Sequence, residues 1–196
     1  MTGLAGRMRP LVLLRTHASV MLGCLPLLAL LLVPQLMRSR AGSESLLMAG
    51  VLALLVVLTA AVILAPVMSA FAAPGDGWRP RTALGATRRV WRTRRAQAWL
   101  ALGLSALLYA AGQVAGYALA EVVPYVHDNP AAAGDPTASP WIIDYPAYAL
   151  QAAVIYLFTT LALAVYAVRL RSLATAAPVS APAPPSGREQ ASAAGA

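Results

Sequence analysis

Four segments of the sequence are long and apolar enough to cross a lipid bilayer, and they restrict the chain to a helical membrane fold. A spanning helix needs roughly 20 mainly apolar residues. Since backbone polar groups must be paired inside the hydrocarbon layer, such segments are expected to be α-helices. The sequence therefore predicts an all-α, integral membrane four-helix bundle. The predicted spans cover residues 18–37, 46–73, 96–123 and 147–168.

The composition excludes the common classes of soluble protein. Of the 196 residues, 59% are hydrophobic and 11% are charged, whereas soluble domains carry about 25% charged residues. The mean hydropathy of +0.67 also argues against a disordered chain. The single cysteine, Cys24, excludes an intramolecular disulfide or a zinc site with several cysteines.

Prolines and flanking charges shape the predicted spans. Pro26 is expected to kink the first span, and Pro66 the second, because proline removes a helical hydrogen bond. The arginines before the first span resemble the start of a signal peptide, but no A-x-A cleavage site follows. We therefore expect the first span to be retained.

The distribution of arginine predicts the orientation. All fifteen basic residues are arginines, and thirteen lie in the N-terminal arm (1–17), the loop 74–95 or the region after the fourth span. An even number of spans places these three regions on one side, which the positive-inside rule makes cytoplasmic. The arginine, alanine and leucine bias suggests a GC-rich bacterial genome. We expect a bacterial cytoplasmic membrane protein with both termini in the cytoplasm.

The loops divide the chain into two hairpins, 18–73 and 96–173. The outer loop 124–146 contains five prolines and is expected to lack regular structure. Its apolar residues 141–143 are expected to dip into the membrane interface. The Ala-, Pro- and Ser-rich segment 174–196 has the composition of a disordered tail.

The loop 74–95 contains a turn signal followed by a predicted basic amphipathic helix. Arg88, Arg92 and Arg95 would share one helical face, while Leu84 and Trp91 would share another. Such a helix would bind anionic lipid headgroups or a partner, although its arginines alone would also fix the orientation. Nucleic acid is not an expected partner. The candidate binding residues are Arg88, Arg89, Trp91, Arg92, Arg94 and Arg95.

Each half of the chain consists of a basic arm and a helical hairpin, which suggests an internal repeat of two plus two spans. The second half opens with RRVWRTRRAQAWLALGLSALL and closes with ALAVYAVRLRSLA. These segments, with Tyr166, Arg169 and Arg171 as the most specific part, resemble the integral membrane domain associated with some bacterial glycerophosphodiester phosphodiesterases. The resemblance implies a membrane module. No counterpart of the phosphodiesterase catalytic domain is present, so no catalytic residue is implied.

Polar and small residues within the spans are the candidates for packing or function. Gln113 and Gln151 are expected to hydrogen-bond between the third and fourth spans. Gly112, Gly116 and Ala120 form a small-residue face, which suits packing inside the bundle or a dimer contact.

The sequence contains none of the common catalytic motifs, and no metal site or cofactor is expected. His17 and His127 would lie on opposite sides of the membrane. His127, Asp128, Asp135 and Asp144 would be either a solvated acidic loop or a cation site. The leading functional hypothesis is a non-enzymatic accessory or scaffold module that associates with lipids, another membrane protein or a second copy. The alternative is a small transporter or permease subunit that forms a pathway by oligomerising or with a partner.

Overall fold

The computed structural model describes residues 10–38, 43–75, 77–135 and 137–176, and these are mostly helical. The all-α class is therefore confirmed. The helices, numbered along the chain, are α1 (Pro10–Gly23), α2 (Leu25–Leu31), α3 (Pro34–Met37), α4 (Glu44–Ala72), α5 (Pro80–Thr93), α6 (Arg95–Val122) and α7 (Tyr145–Thr175).

Within the described ranges, three helices are individually long and apolar enough to cross a membrane: α4, α6 and α7. They coincide with the second, third and fourth predicted spans. The first predicted span is divided, because α1 and α2 meet at an angle of 59°. The chain thus has helices typical of a membrane protein, with three candidate spans, or four if α1 and α2 form one bent span.

The break between α1 and α2 lies where the sequence predicts a kink. Cys24 separates the two helices, and Pro26 lies in the first turn of α2. Proline has no N–H and its ring collides with the carbonyl four residues earlier, so an interior proline kinks or breaks a helix. Pro34 opens α3 in the same way. By contrast, Pro66 lies inside α4, which continues to Ala72 without interruption.

Helix α7 is the centre of the bundle. Of its most apolar 18-residue stretch, 61% is buried within the structure, against 11% for α4 and 22% for α6. It packs against α1, α4, α5 and α6, whereas α4 and α6 do not form a close pair with each other. Buried Ala162, Ala164 and Ala167 leave little side chain between α7 and its neighbours, which lets the helices approach closely.

The bundle has two distinct ends. At the basic end, the end of α5 and the end of α7 are joined by the hydrogen bond from the Arg94 side chain to the carbonyl of Ala176. Helix α1 begins at this end too, because it runs antiparallel to α7, with His17 beside Thr160 and Met21 beside Tyr156. At the loop end, Arg38 and the start of α7 meet the segment that follows α6. The arginine-rich segments of the described chain therefore gather at one end.

The segment after α6 is more regular than its proline content suggested. Strands β1 (Val126–Asp128) and β2 (Trp141–Ile143) form an antiparallel hairpin, with a 3₁₀ helix at Pro130–Ala133 between them. The expectation of an irregular loop was wrong because its described prolines lie outside both strands, where no ladder N–H is lost. Residues 141–143, expected to dip into the interface, pair with β1. Hydrogen bonds from Thr137 lower the pKa of exposed Asp135 in this loop.

The segment boundaries differ from the predictions at both termini. Helix α1 begins at Pro10, so part of the predicted arm 1–17 is helical, and α7 continues to Thr175. The rest of the predicted disordered tail, residues 177–196, lies outside the described residues. The predicted turn at residues 74–77 is present, with Gly77 at a φ of +72° and a bridge between Gly75 and Trp78.

Candidate functional site

Helix α5 is an amphipathic helix attached to the basic end of the bundle. Its Ala83 and Val90 are buried, whereas Arg88, Arg89 and Arg92 are exposed. The neighbouring α4 and α7 supply the surface that its apolar side covers. Because α5 is held by small apolar side chains, its arginines are left free to face outward.

The sequence predicted that one helix carries Arg88, Arg92 and Arg95, but Arg94 and Arg95 do not continue α5. Helix α5 ends at Thr93, Arg94 has φ −128° and ψ 44°, and α6 begins at Arg95. Arg95 is exposed in the first turn of α6, and the Arg94 side chain donates to the carbonyl of Ala176 at 3.2 Å. The predicted one-face alignment of Arg88, Arg92 and Arg95 is therefore interrupted by the break at Arg94.

Trp91 lies toward the bundle rather than among the outward arginines. Its indole N–H donates to the hydroxyl of Tyr166 in α7 at 3.2 Å. Its ring also meets that of Trp99 edge to face, with 5.2 Å between centroids. The predicted apolar partner Leu84 is exposed, since the buried face passes through Ala83 and Val90 instead. Trp91 thus joins α5 to α6 and α7.

The small-residue face of α6 lies against α7. A Cβ atom on Gly112 would collide with Phe158, and one on Gly116 would come within 2.7 Å of Ile155 Cγ1. Ala120, one turn further, is partly buried. The two glycines therefore permit the close approach of α6 and α7 within the chain.

A cavity of about 140 Å³ lies among α2, α3, α4, α6 and α7 toward the loop end. Its wall includes both predicted intramembrane glutamines, Gln113 and Gln151. Gln151 is buried and its amide donates to the carbonyl of Gly116 at 3.0 Å. The expected bond between the two glutamines is absent from the described residues. Gln151 instead bonds to the α6 backbone, which the missing side chain of Gly116 leaves accessible.

Arg38 also lines this cavity, although it lies between the first two predicted spans and was not a predicted site residue. Its Nη2 donates to Gln151 Oε1 at 3.0 Å, and its guanidinium lies 5.3 Å from the ring centroid of Tyr125. Its Nε is buried without a hydrogen-bond partner. The hydroxyl of Tyr148 beside it donates to the carbonyl of Leu31 at 2.7 Å. Arg38 and Gln151 are 113 positions apart, so no local sequence signal pairs them.

No metal-binding cluster forms in the described part of the chain, where no three His, Cys, Asp or Glu side chains come together. His17 instead shares a hydrogen bond of 3.1 Å with the Thr160 hydroxyl. Asp135 binds Thr137, and Asp144 caps α7 by accepting from the Ala147 N–H. These groups have structural partners of their own.

Comparison with known proteins gives no relative: no family model matches the chain, and no curated protein or solved structure is significantly similar to it. The resemblance to the phosphodiesterase-associated membrane domain therefore stays a prediction.

Proposed function

We propose that this chain is a non-enzymatic accessory or scaffold module of a bacterial cytoplasmic membrane, and that α5 holds it to anionic lipid headgroups or to a membrane partner. The observation that carries the proposal is the exposure of Arg88, Arg89 and Arg92 on a helix whose other side is anchored to the bundle. Because the helix is anchored, its arginine side chains keep a fixed position along the axis of the bundle.

In this proposal α1 and α2 together cross the membrane as one bent span, which makes a four-helix bundle with α4, α6 and α7. Both termini and α5 then lie in the cytoplasm, as the positive-inside rule requires for the arginine-rich side. The β-hairpin lies outside. The gathering of the described arginine-rich segments at one end supports this orientation.

The arginines of α5 suit anionic headgroups because their charge is unpaired. Arg88, Arg89 and Arg92 make no ion pair with any described residue. Each basic side chain near an anionic membrane surface contributes about 1 kcal/mol of attraction. With Arg94 and Arg95 at the break that follows, the cluster adds several such contributions over a short distance.

The lipid part of the proposal is tested on the full chain in mixed nanodiscs of phosphatidylcholine and phosphatidylglycerol. Lipids retained by the purified protein are quantified by native mass spectrometry. Replacing Arg88, Arg89, Arg92, Arg94 and Arg95 with glutamine should remove most of the phosphatidylglycerol enrichment. The matched variant with lysine at the same five positions should keep it, since the charge remains. Equal enrichment in the glutamine variant would contradict lipid binding by α5.

The partner part is tested by gentle extraction of the tagged protein from its native membrane. A protein that copurifies in fixed ratio, and that is lost from the glutamine variant, would identify an accessory subunit. A clean homo-oligomer carrying only lipid would contradict a hetero-partner and leave the lipid-bound scaffold.

The alternative function, a small transporter or permease subunit, has one supporting observation: the polar cavity lined by Gln113 and Gln151. Flux of a solute through proteoliposomes containing the chain, reduced by Gln113→Ala, would favour transport over the scaffold function. Absence of flux in the presence of a copurified partner would exclude it.

A further inference from the structure

We propose that the cavity at the loop end binds the carboxylate of a long-chain fatty acid, with Arg38 as its anchor. The alkyl chain would leave the cavity sideways, between α4 and α6, into the bilayer. This inference goes beyond the proposed function, which depends on α5 at the opposite end of the bundle. It requires only that the apolar helices lie in a membrane.

The anchor is a guanidinium whose hydrogen bonds are incomplete. Arg38 donates to Gln151 Oε1 at 3.0 Å, while its Nε remains buried without a partner. An arginine keeps its charge in any protein environment, and its planar N–H groups match a carboxylate well. The guanidinium therefore has donor capacity that no described residue uses.

The surroundings position the charge of Arg38 without neutralising it. Gln151 is a neutral acceptor, itself fixed by its bond to the Gly116 carbonyl at 3.0 Å. Tyr125 offers the guanidinium a ring at 5.3 Å, which leaves the charge in place. Arg38 is the one charged group among the described residues that line the cavity. An unpaired charge in a partly desolvated site favours the binding of a counter-ion. Hydrogen bonds between ionised partners are also stronger than hydrogen bonds between neutral partners.

Part of the remaining wall is apolar and suits an alkyl chain, and it lies beside the polar side chains of Gln113, Gln151 and Thr159. The cavity is lined by Leu27 and Leu31 of α2, Leu54 and Leu58 of α4, and Ile155 of α7. Its volume of about 140 Å³ is close to that of apolar protein cavities of about 150 Å³ that accept benzene. This space holds a carboxylate and its first methylene groups. A carboxylate with its first methylene groups is less bulky than the phosphate, glycerol and two ester groups of a diacyl glycerophosphate, which favours a fatty acid over a phospholipid.

The arrangement of the helices supplies the exit for the rest of the chain. Helices α4 and α6 both pack against α7 but do not form a close pair with each other. The cavity is lined from α4 by Leu54 and from α6 by Tyr109 and Tyr117, and Tyr117 is 63% exposed. An alkyl chain leaving between these helices passes directly from the cavity to the lipid.

The test measures binding of radiolabelled palmitate to the full chain in phosphatidylcholine nanodiscs, with empty discs as the blank. Arg38→Gln should weaken binding by about tenfold or more, as expected for loss of a charged hydrogen-bond partner. Arg169→Gln removes the same charge from an exposed position of α7 at the basic end and should leave binding unchanged. Equal palmitate binding by Arg38→Gln and the parent protein would overturn the proposal.

A second variant and three competitor ligands complete the test. Leu58→Trp fills the apolar wall, keeps Arg38, and should also abolish palmitate binding. If Arg38→Gln does not fold, Arg38→Lys is used instead, because it keeps the charge but loses the planar guanidinium. Arg38→Lys should bind palmitate more weakly than the parent protein. Acetate and hexadecanol should compete poorly, because each lacks one half of the ligand. If hexadecanol competed as well as palmitate, the anionic anchor would be overturned. If acetate competed as well as palmitate, the alkyl site would be overturned. If lysophosphatidate bound more tightly than palmitate, the assignment of the ligand as a carboxylate would be overturned.

Discussion

At the scale of single residues, Trp78 closes the connection between α4 and α5. Its side chain is fully buried, and its indole N–H donates to Ser69 Oγ at 2.9 Å. Ser69 in turn donates to the carbonyl of Pro66 at 2.8 Å. The Ser69 hydroxyl thus links the buried indole to the backbone of α4 near the end of that helix.

Trp78→Phe should therefore destabilise the folded protein by about 1–2 kcal/mol, because a buried hydrogen bond and some packing volume are lost. The change in the free energy of unfolding is measured in detergent by denaturant titration. A double-mutant cycle with Ser69→Ala isolates the hydrogen bond. Additive effects of the two substitutions would contradict a direct contact between these side chains.

Gly116 is a second position at which one atom decides the packing. A Cβ there would lie 2.7 Å from Ile155 Cγ1, whereas a Cβ on Gly103 of the same helix would meet no atom within 4 Å. Gly116→Ala should destabilise by about 1–3 kcal/mol through overpacking. Gly103→Ala should be neutral or stabilise by up to about 1 kcal/mol, since alanine has the higher helix propensity. Equal effects in thermal unfolding would show that α6 and α7 do not approach closely at Gly116.

At the scale of secondary-structure elements, α7 compensates for the break between α1 and α2. The hydroxyl of Tyr156 donates to the carbonyl of Met21 near the end of α1, and that of Tyr148 donates to the carbonyl of Leu31 at the end of α2. Backbone groups at helix ends lack intrahelical partners, which is costly in a membrane unless a neighbouring helix pairs with them. The central helix thus fixes the bent segment as well as packing against it.

Tyr156→Phe should lower the free energy of unfolding by about 1 kcal/mol, because the carbonyl of Met21 loses a donor. Tyr117→Phe is the matched control, since Tyr117 is largely exposed and makes no hydrogen bond with a described residue. Comparison of the two variants by thermal unfolding in the same detergent checks the prediction. If Tyr117→Phe lost the same amount of stability, the effect would come from removing any tyrosine hydroxyl and not from the bond at the helix break.

At the scale of the whole molecule, the two ends of the bundle differ in chemistry. The basic end presents the arginines of α5, and the loop end combines Arg38 with tyrosines and the small hairpin. The proposed orientation places the basic end in the cytoplasm because translocating many arginines is unfavourable.

This orientation predicts the labelling of single cysteines in intact cells. In a Cys24→Ala background, Ala132→Cys in the loop after α6 should react with a membrane-impermeant maleimide. Gly85→Cys, at an exposed position of α5, should react only after the membrane is permeabilised. Labelling of both positions in intact cells would contradict the proposed four-span topology.

Local sequence properties determined the apolar helices, the break at Pro26, the turn before α5 and the accumulation of arginine, because length, hydropathy and proline geometry act within a few residues. The boundaries of α5 and the small hairpin were missed, since the interruption at Arg94 and the pairing of β1 with β2 depend on their neighbours. Only the tertiary structure brought Arg38 to Gln151 and the Gln151 amide to the Gly116 carbonyl, and it turned Trp91 toward Tyr166. Such contacts join residues that are distant in sequence, and no periodic pattern along the chain encodes them.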